Sequence, residues 1–231
     1  MPENALALSL VAGVLIICHL LSPVIRRASQ VVDAEVASFT GGLAAAYVFL
    51  HIFAELDKAH QVIGDRIYLL ILAGFVAFYA IENHIRHATP EGESVSRHSY
   101  NLRLAFQTLY SVLLVFTLSE QLPENHLLSA MFAVTLGLHV MATDIGMMKR
   151  FGQQFARHGH FILAASLVTG LLLSLLLEPG KMLIDILSAS LAGFIIFTVF
   201  HEEISQTRET KIRWFLGGTL SFTALHLIIG S

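Results

Sequence analysis

Residues 160–177 read HFILAASLVTGLLLSLLL, eighteen positions without an Asp, Glu, Lys or Arg. A helix needs about 20 mostly apolar residues to cross the hydrocarbon core of a bilayer, and this run is of that length and character. Working outward from it, seven further runs follow the same pattern: 5–25, 36–56, 67–82, 104–119, 127–147, 182–201 and 214–230. The run at 104–119 is short and carries Gln107, Thr108 and Ser111, while those at 127–147 and 182–201 include Asp144 and Asp185. The expected fold is all-α: one polytopic membrane domain over 1–231, with eight transmembrane helices.

The composition of the 231 residues agrees. They are 55% hydrophobic and 13% charged, with a mean hydropathy of +0.69, against about 45–50% and about 25% for soluble domains. A soluble fold could not cover that much apolar surface, and a disordered chain would be poor in apolar residues. A single cysteine, Cys18, excludes an intramolecular disulfide framework and any cysteine-based zinc finger. A net charge of −3 offers nucleic acid no basic footprint. Gly41, Gly42 and Gly193 lie inside runs, where they permit close helix approach.

The loops test the count of eight. Arg26, Arg27, Arg86, Arg97, Arg103, Lys149, Arg150, Arg157, Arg208, Lys211 and Arg213 fall in odd-numbered loops; Lys58, Arg66 and Lys181 fall in even ones. These are all 14 basic residues, and a wrong count would scramble the segregation. Cytoplasmic loops are enriched in Lys and Arg, so the odd loops are expected inside and both termini outside, in a plasma or inner membrane. The first run has no basic residue before it and Arg26 and Arg27 after it, the pattern of a retained helix rather than a cleaved signal.

Ionisable groups at membrane depth are costly and face the bundle interior or a water-filled path. His51 and Glu55, four residues apart, are expected to share a helix face near the outer end of the second span. His139 falls near the middle of the fifth span and Asp144 closer to the cytoplasm. Five residues turn an ideal helix by about 500°, so these two point about 140° apart. Only a kink or an intervening helix would offer both to one ion; otherwise Asp144 pairs with Lys149 or Arg150. His201, Glu202 and Glu203 close the seventh span at the cytoplasmic face. His19 and His226 read as interfacial, and His84, His87 and His98 as part of a cytoplasmic loop at 83–103. Imidazole and carboxylate without thiolate suit Zn²⁺, Fe²⁺ or Mn²⁺ better than Cu(I). Leu43, Ala44, Phe49 and Glu55 of the second span align without gaps on Leu191, Ala192, Phe197 and Glu203 of the seventh. The two spans cross in opposite senses, as inverted repeats do in many transporters.

Residues 42–55, GLAAAYVFLHIFAE, with Ala73-Gly74-Phe75 and Glu82 on the third span and Ala192-Gly193-Phe194 leading to His201 on the seventh, resemble the ZIP (Zrt/Irt-like) family of divalent metal transporters. The resemblance covers nearly the whole chain and implies eight spans, both termini outside and a histidine-bearing loop between spans three and four. It also implies a metal centre on helices four and five, from which this sequence departs. The fifth span reads HVMATDIG at 139–146: His139 and Asp144 match family ligands by position, whereas Val140 and Thr143 replace ligands and Ala142 stands in place of the family's kinking proline. Helix four has only Gln107, Thr108, Tyr110 and Ser111 at its middle. One metal held by His139, Asp144 and Gln107 or Ser111 is the centre this leaves.

The expected function is ZIP-like movement of a divalent cation, Zn²⁺ or Fe²⁺, toward the cytoplasm. His51 and Glu55 receive it, His139 and Asp144 hold it, and His201, Glu202 and Glu203 release it. The metal is substrate, no organic cofactor is expected, and the partners are the lipid bilayer and the ion, with a homodimer left open. The alternative is a ZIP-fold protein without transport that acts as a membrane partner or metal sensor. An intramembrane metalloenzyme would need three ligands to converge, and His51, His139 and His201 lie at different depths; an enzyme is not expected.

Overall fold

A computed structural model describes residues 5–28, 33–87, 96–119, 121–122, 125–177, 180–205 and 211–230. All regular structure among them is helical: α1 (Ala5–Ala28), α2 (Asp33–Tyr47), α3 (Phe53–Ile63), α4 (Arg66–His87), α5 (Arg97–Leu118), α6 (His126–Phe151), α7 (His160–Leu176), α8 (Lys181–Ser205) and α9 (Ile212–Gly230). A π-helical turn, Val48–Ile52, joins α2 to α3 in one run, and a second, Phe155–Gly159, leads into α7. Counting joined segments once, the described residues contain eight helices long and apolar enough to cross a membrane. We call the end carrying Glu55 and Asp185 the outer end and the opposite end the inner end, after the loop charges.

Three boundaries differ from expectation. The fourth span begins at Arg97 rather than 104. Ser96 caps it, its Oγ accepting from the Ser99 amide at 3.1 Å, and Arg103 is buried rather than looped out. The second span reaches Ile63 rather than 56, where Gly64, with φ of 70°, ends it in a region that favours glycine. The loop placed at 83–103 shrinks from both sides. Its His84 and His87 belong to α4 and His98 to α5, and the His84 and His98 rings stand 6.3 Å apart; residues 88–95 lie outside the described residues.

Helix packing follows a pattern. The most extensive contacts pair α4 with α8, α2 with α9, α5 with α7 and α1 with α6, and α1 also packs on α7. Numbering these as spans one to eight, an exchange of one with six, two with seven, three with eight and four with five leaves the pairing unchanged. The exchanged spans run in opposite directions, which is the signature of an inverted repeat. Glycines mark the closest approaches in both halves. A Cβ on Gly42 would lie under 3.0 Å from the Phe215 carbonyl oxygen, and one on Gly218 equally close to that of Phe39. Gly74 and Gly193 stand in the same relation to Ser190 and Ile71 across α4 and α8. The four weak identities between spans two and seven thus have a counterpart in three dimensions.

The core between these pairs is aromatic. Tyr110 lies 4.2 Å from Phe194 between ring centroids, Phe78 lies 4.4 Å from Phe194, and Phe78 also contacts Phe106 and Phe197. The outside of the bundle is apolar too: Leu69, Leu72 and Val76 on α4 and Leu220, Leu227 and Ile228 on α9 are exposed.

Candidate functional site

Polar side chains gather at three levels. At the outer end a cleft opens between α2–α3, the C-terminal part of α5 and the first turns of α8. Glu55, Gln121, Lys181, Asp185 and Ser188 line it, over a floor that includes Tyr47, Leu114 and Ile195. Glu55 is 2.7 Å from the Lys58 ammonium. Asp185, 7% exposed, is 3.3 Å from that of Lys181.

His51 is not in this cleft. It lies in the π-turn Val48–Ile52, which leads directly into α3. The ring of His51 packs against Phe132 at 4.1 Å and Tyr47 at 5.2 Å. Its Nε2 is buried, with no hydrogen-bond partner among the described residues. The expected outer pair is therefore divided: Glu55 lines the cleft, and His51 joins the aromatic packing between α2 and α6.

At mid-depth, α6 runs without interruption through both His139 and Asp144. His139, 9% exposed, follows Phe132 by seven residues and so lies on the face that meets α2. Asp144 follows Gly137 by seven, and Gly137 faces Cys18 of α1. With no kink, the two diverge as the helical arithmetic requires. Asp144 is fully buried, and its Oδ2 accepts from Ser22 Oγ at 2.8 Å and lies 2.8 Å from His19 Nδ1. Pro23 supports the arrangement. Lacking an N–H, it leaves the His19 carbonyl without its helical donor, and Ser22 Oγ stands 2.9 Å from that oxygen. Among the described residues, the other oxygen of Asp144 and Nε2 of His19 have no hydrogen-bond partner.

The inner level is an ion cluster on Glu82, which is 4% exposed. Arg103 donates to it at 3.1 Å, Arg150 donates to its other oxygen, and His201 Nε2 lies 3.8 Å away. Arg103 also covers the Phe78 ring at 4.6 Å, and His201 stacks on Phe197. One carboxylate thus ties α4, α5, α6 and α8 together.

Among the described residues, no three His, Cys, Asp or Glu side chains form a group able to hold a metal ion. His51, His139 and His201 do not converge, and Asp144 turns to α1. Ser111 donates to the Gln107 carbonyl within its own helix, and both residues are buried in α5. Glu202 and Glu203 lie in α8, and their side chains fall outside the described residues.

No protein-family model and no curated protein matches this chain. The site therefore has to be read from its own geometry.

Sequence reasoning missed His19, which read as interfacial, and Ser22, which it passed over. Both were findable. Asp144 lies two turns inside its helix, where a carboxylate requires donors, and Ser22-Pro23 marks a place where α1 cannot bond regularly. Glu82 entered only through the resemblance, and Arg150 was offered to Asp144 rather than to Glu82.

Proposed function

We propose that the protein is an integral membrane carrier, ZIP-like in organisation, which moves a divalent cation toward the cytoplasm. The observation that carries this reading is the helix pairing: eight membrane-length helices whose contacts are preserved when antiparallel spans are exchanged. That symmetry underlies alternating access in many secondary transporters. The exposed leucines of α4 and α9 support placement in lipid, since a soluble surface rarely carries so much contiguous apolar area.

A cation enters at the outer cleft, where Glu55 supplies charge. His139, a buried imidazole on the face of α6 that meets α2, holds the cation at mid-depth, and Asp144 ties α6 to α1 through His19. Exit follows the inner cluster at His201 and Glu82. Tyr110, Phe194, Phe106 and Phe78 close the space between the cleft and Glu82, so opening toward the cytoplasm requires the helix groups to rock apart. Imidazole and carboxylate favour Zn²⁺ or Fe²⁺ as cargo. The loop charges support a plasma or inner membrane with both termini outside.

The absence of a three-ligand group among the described residues favours a second reading, in which the ZIP-like fold is kept without transport and the protein serves as a membrane partner or metal sensor. Uptake of Zn²⁺ and Fe²⁺ by proteoliposomes separates the two. The carrier fills the vesicles with one of these ions faster than protein-free vesicles fill; the second reading predicts equal rates.

A further inference from the structure

We propose that Glu82, Arg103 and Arg150 form an ionic latch at the inner end alone, which holds the carrier open to the outside at rest. The proposal rests on the carrier reading and adds to it what sets the resting state. The extensive helix contacts fall within two groups, one of α1, α5, α6 and α7 and the other of α2 with its continuation α3, α4, α8 and α9. Exchanging antiparallel spans maps each group onto itself, so movement of one against the other can open either end. Glu82 belongs to the second group and Arg103 and Arg150 to the first, so both ion pairs cross the division. At the outer end, the cleft charges pair within their own helices, Lys58 with Glu55 and Lys181 with Asp185. Among the described residues, the hydrogen bonds that cross there join neutral groups: Gln121 donates to Ser188 at 2.6 Å and Asn125 to the Ile229 carbonyl at 3.5 Å.

The inverted repeat shows the asymmetry residue by residue. Gly74 and Gly218 occupy equivalent places, each with an added Cβ under 3.0 Å from a carbonyl of its paired helix. Four residues on lie Phe78 and Phe222, and eight residues on lie Glu82 and His226. Ser96 and Asn125 cap α5 and α6, and seven residues after them come Arg103 and Phe132. The contacts match: Arg103 covers Phe78 at 4.6 Å at the inner end, and Phe132 stacks on Phe222 at 6.2 Å at the outer end. Where the inner end has Glu82 and Arg103, the outer end therefore has His226 and Phe132. Charge-assisted hydrogen bonds are about twice as strong as neutral ones, and separating a buried ion pair strands its charges. Closing the outer end gains no such bond at the equivalent positions, so the state closed inside is the favoured one.

Distances between spin labels on the full-length protein in proteoliposomes, with Cys18 replaced by Ala, test the latch by pulsed electron–electron resonance. One label pair, at His87 and Gln153, spans the groups at the inner end; another, at Gln61 and His126, spans them at the outer end, and all four positions are exposed. We expect Glu82→Gln to lengthen the inner distance and shorten the outer one, each by several ångströms. Arg150→Gln should shift both the same way and less far, since Arg103 still holds Glu82. Glu35→Gln breaks an ion pair between α2 and α9, inside one group, and should leave both distances as in the wild type. Unchanged distances in Glu82→Gln, or in Arg150→Gln where Glu82→Gln does not fold, overturn the latch, as does an equal shift in Glu35→Gln. Zn²⁺ and Fe²⁺ flux measured separately distinguishes the two claims. Flux with distances indifferent to Glu82 removes the latch and leaves the carrier; the expected shifts without flux leave the latch and remove the carrier.

Discussion

His19 of α1 and Asp144 of α6 meet at 2.8 Å with 1% and 0% of their side chains exposed. They are 125 residues apart in the chain, and their contact fixes how the first and fifth spans pack. Removing one partner of a buried pair leaves the other desolvated and unmatched, at a cost of about 3–5 kcal/mol. Asp144→Ala should therefore lower the thermal unfolding midpoint in detergent far more than Ser22→Ala, which deletes one donor worth about 1 kcal/mol. Equal shifts would show that the contact with His19 adds nothing beyond the serine bond. A His19→Gln, Asp144→Asn double-mutant cycle should give a coupling of about 0.5–3 kcal/mol.

Glu82 sets a second ranking. Glu82→Ala strands Arg103, whose side chain is 8% exposed, and should destabilise by about 3–5 kcal/mol. Glu55→Ala, which breaks an exposed pair with Lys58, should cost about 0–1 kcal/mol. Arg150, one-third exposed, should be less costly to truncate than Arg103. Unfolding in detergent reads all four variants, and a Glu82→Ala protein as stable as Glu55→Ala would refute the cluster.

The symmetric glycines allow a prediction with its own control. A methyl at Gly42 or Gly218 meets a backbone carbonyl across α2 and α9, so either Ala variant should lose about 1–3 kcal/mol by overpacking. Among the described residues, an added Cβ on Gly13 or Gly146 meets nothing within 4 Å beyond its own helix backbone. Ala there should be neutral or stabilising by about 0.5–1 kcal/mol through helix propensity. If all four behaved alike, the close approach of α2 and α9 would be wrong.

Sidedness has a chemical test. In a variant with Cys18 replaced by Ala, a cysteine at Gln61 should react with an impermeant maleimide from outside intact cells. One at Gln153 should react only after lysis. The reverse pattern would invert the topology drawn from the loop charges.

Length and hydropathy carried the architecture, because an eighteen-residue apolar run has few other uses. They failed at span ends, where polar residues such as Arg103 find partners on neighbouring helices and so remain helical. Hydropathy does not say that Tyr47 and Phe132 hold the His51 ring while Glu55 lines the cleft, because that follows from how α2 packs on α6. The divergence of His139 and Asp144 was legible from helical geometry alone. The partner of Asp144 was not, since it comes from a distant span and the pairing of spans is a tertiary fact. His19 shows the same limit, for its position near a span end reads as interfacial until α6 covers it.

The central claim is movement of a divalent cation, and the initial rate of Zn²⁺ and Fe²⁺ entry into proteoliposomes tests it most directly. The wild-type protein should exceed protein-free vesicles several-fold for at least one ion, and His139→Ala, confirmed folded by its unfolding midpoint, should reduce that rate. Entry no faster than into empty vesicles, from protein with an intact unfolding transition, would contradict the carrier and leave a membrane protein that keeps the fold without the flux.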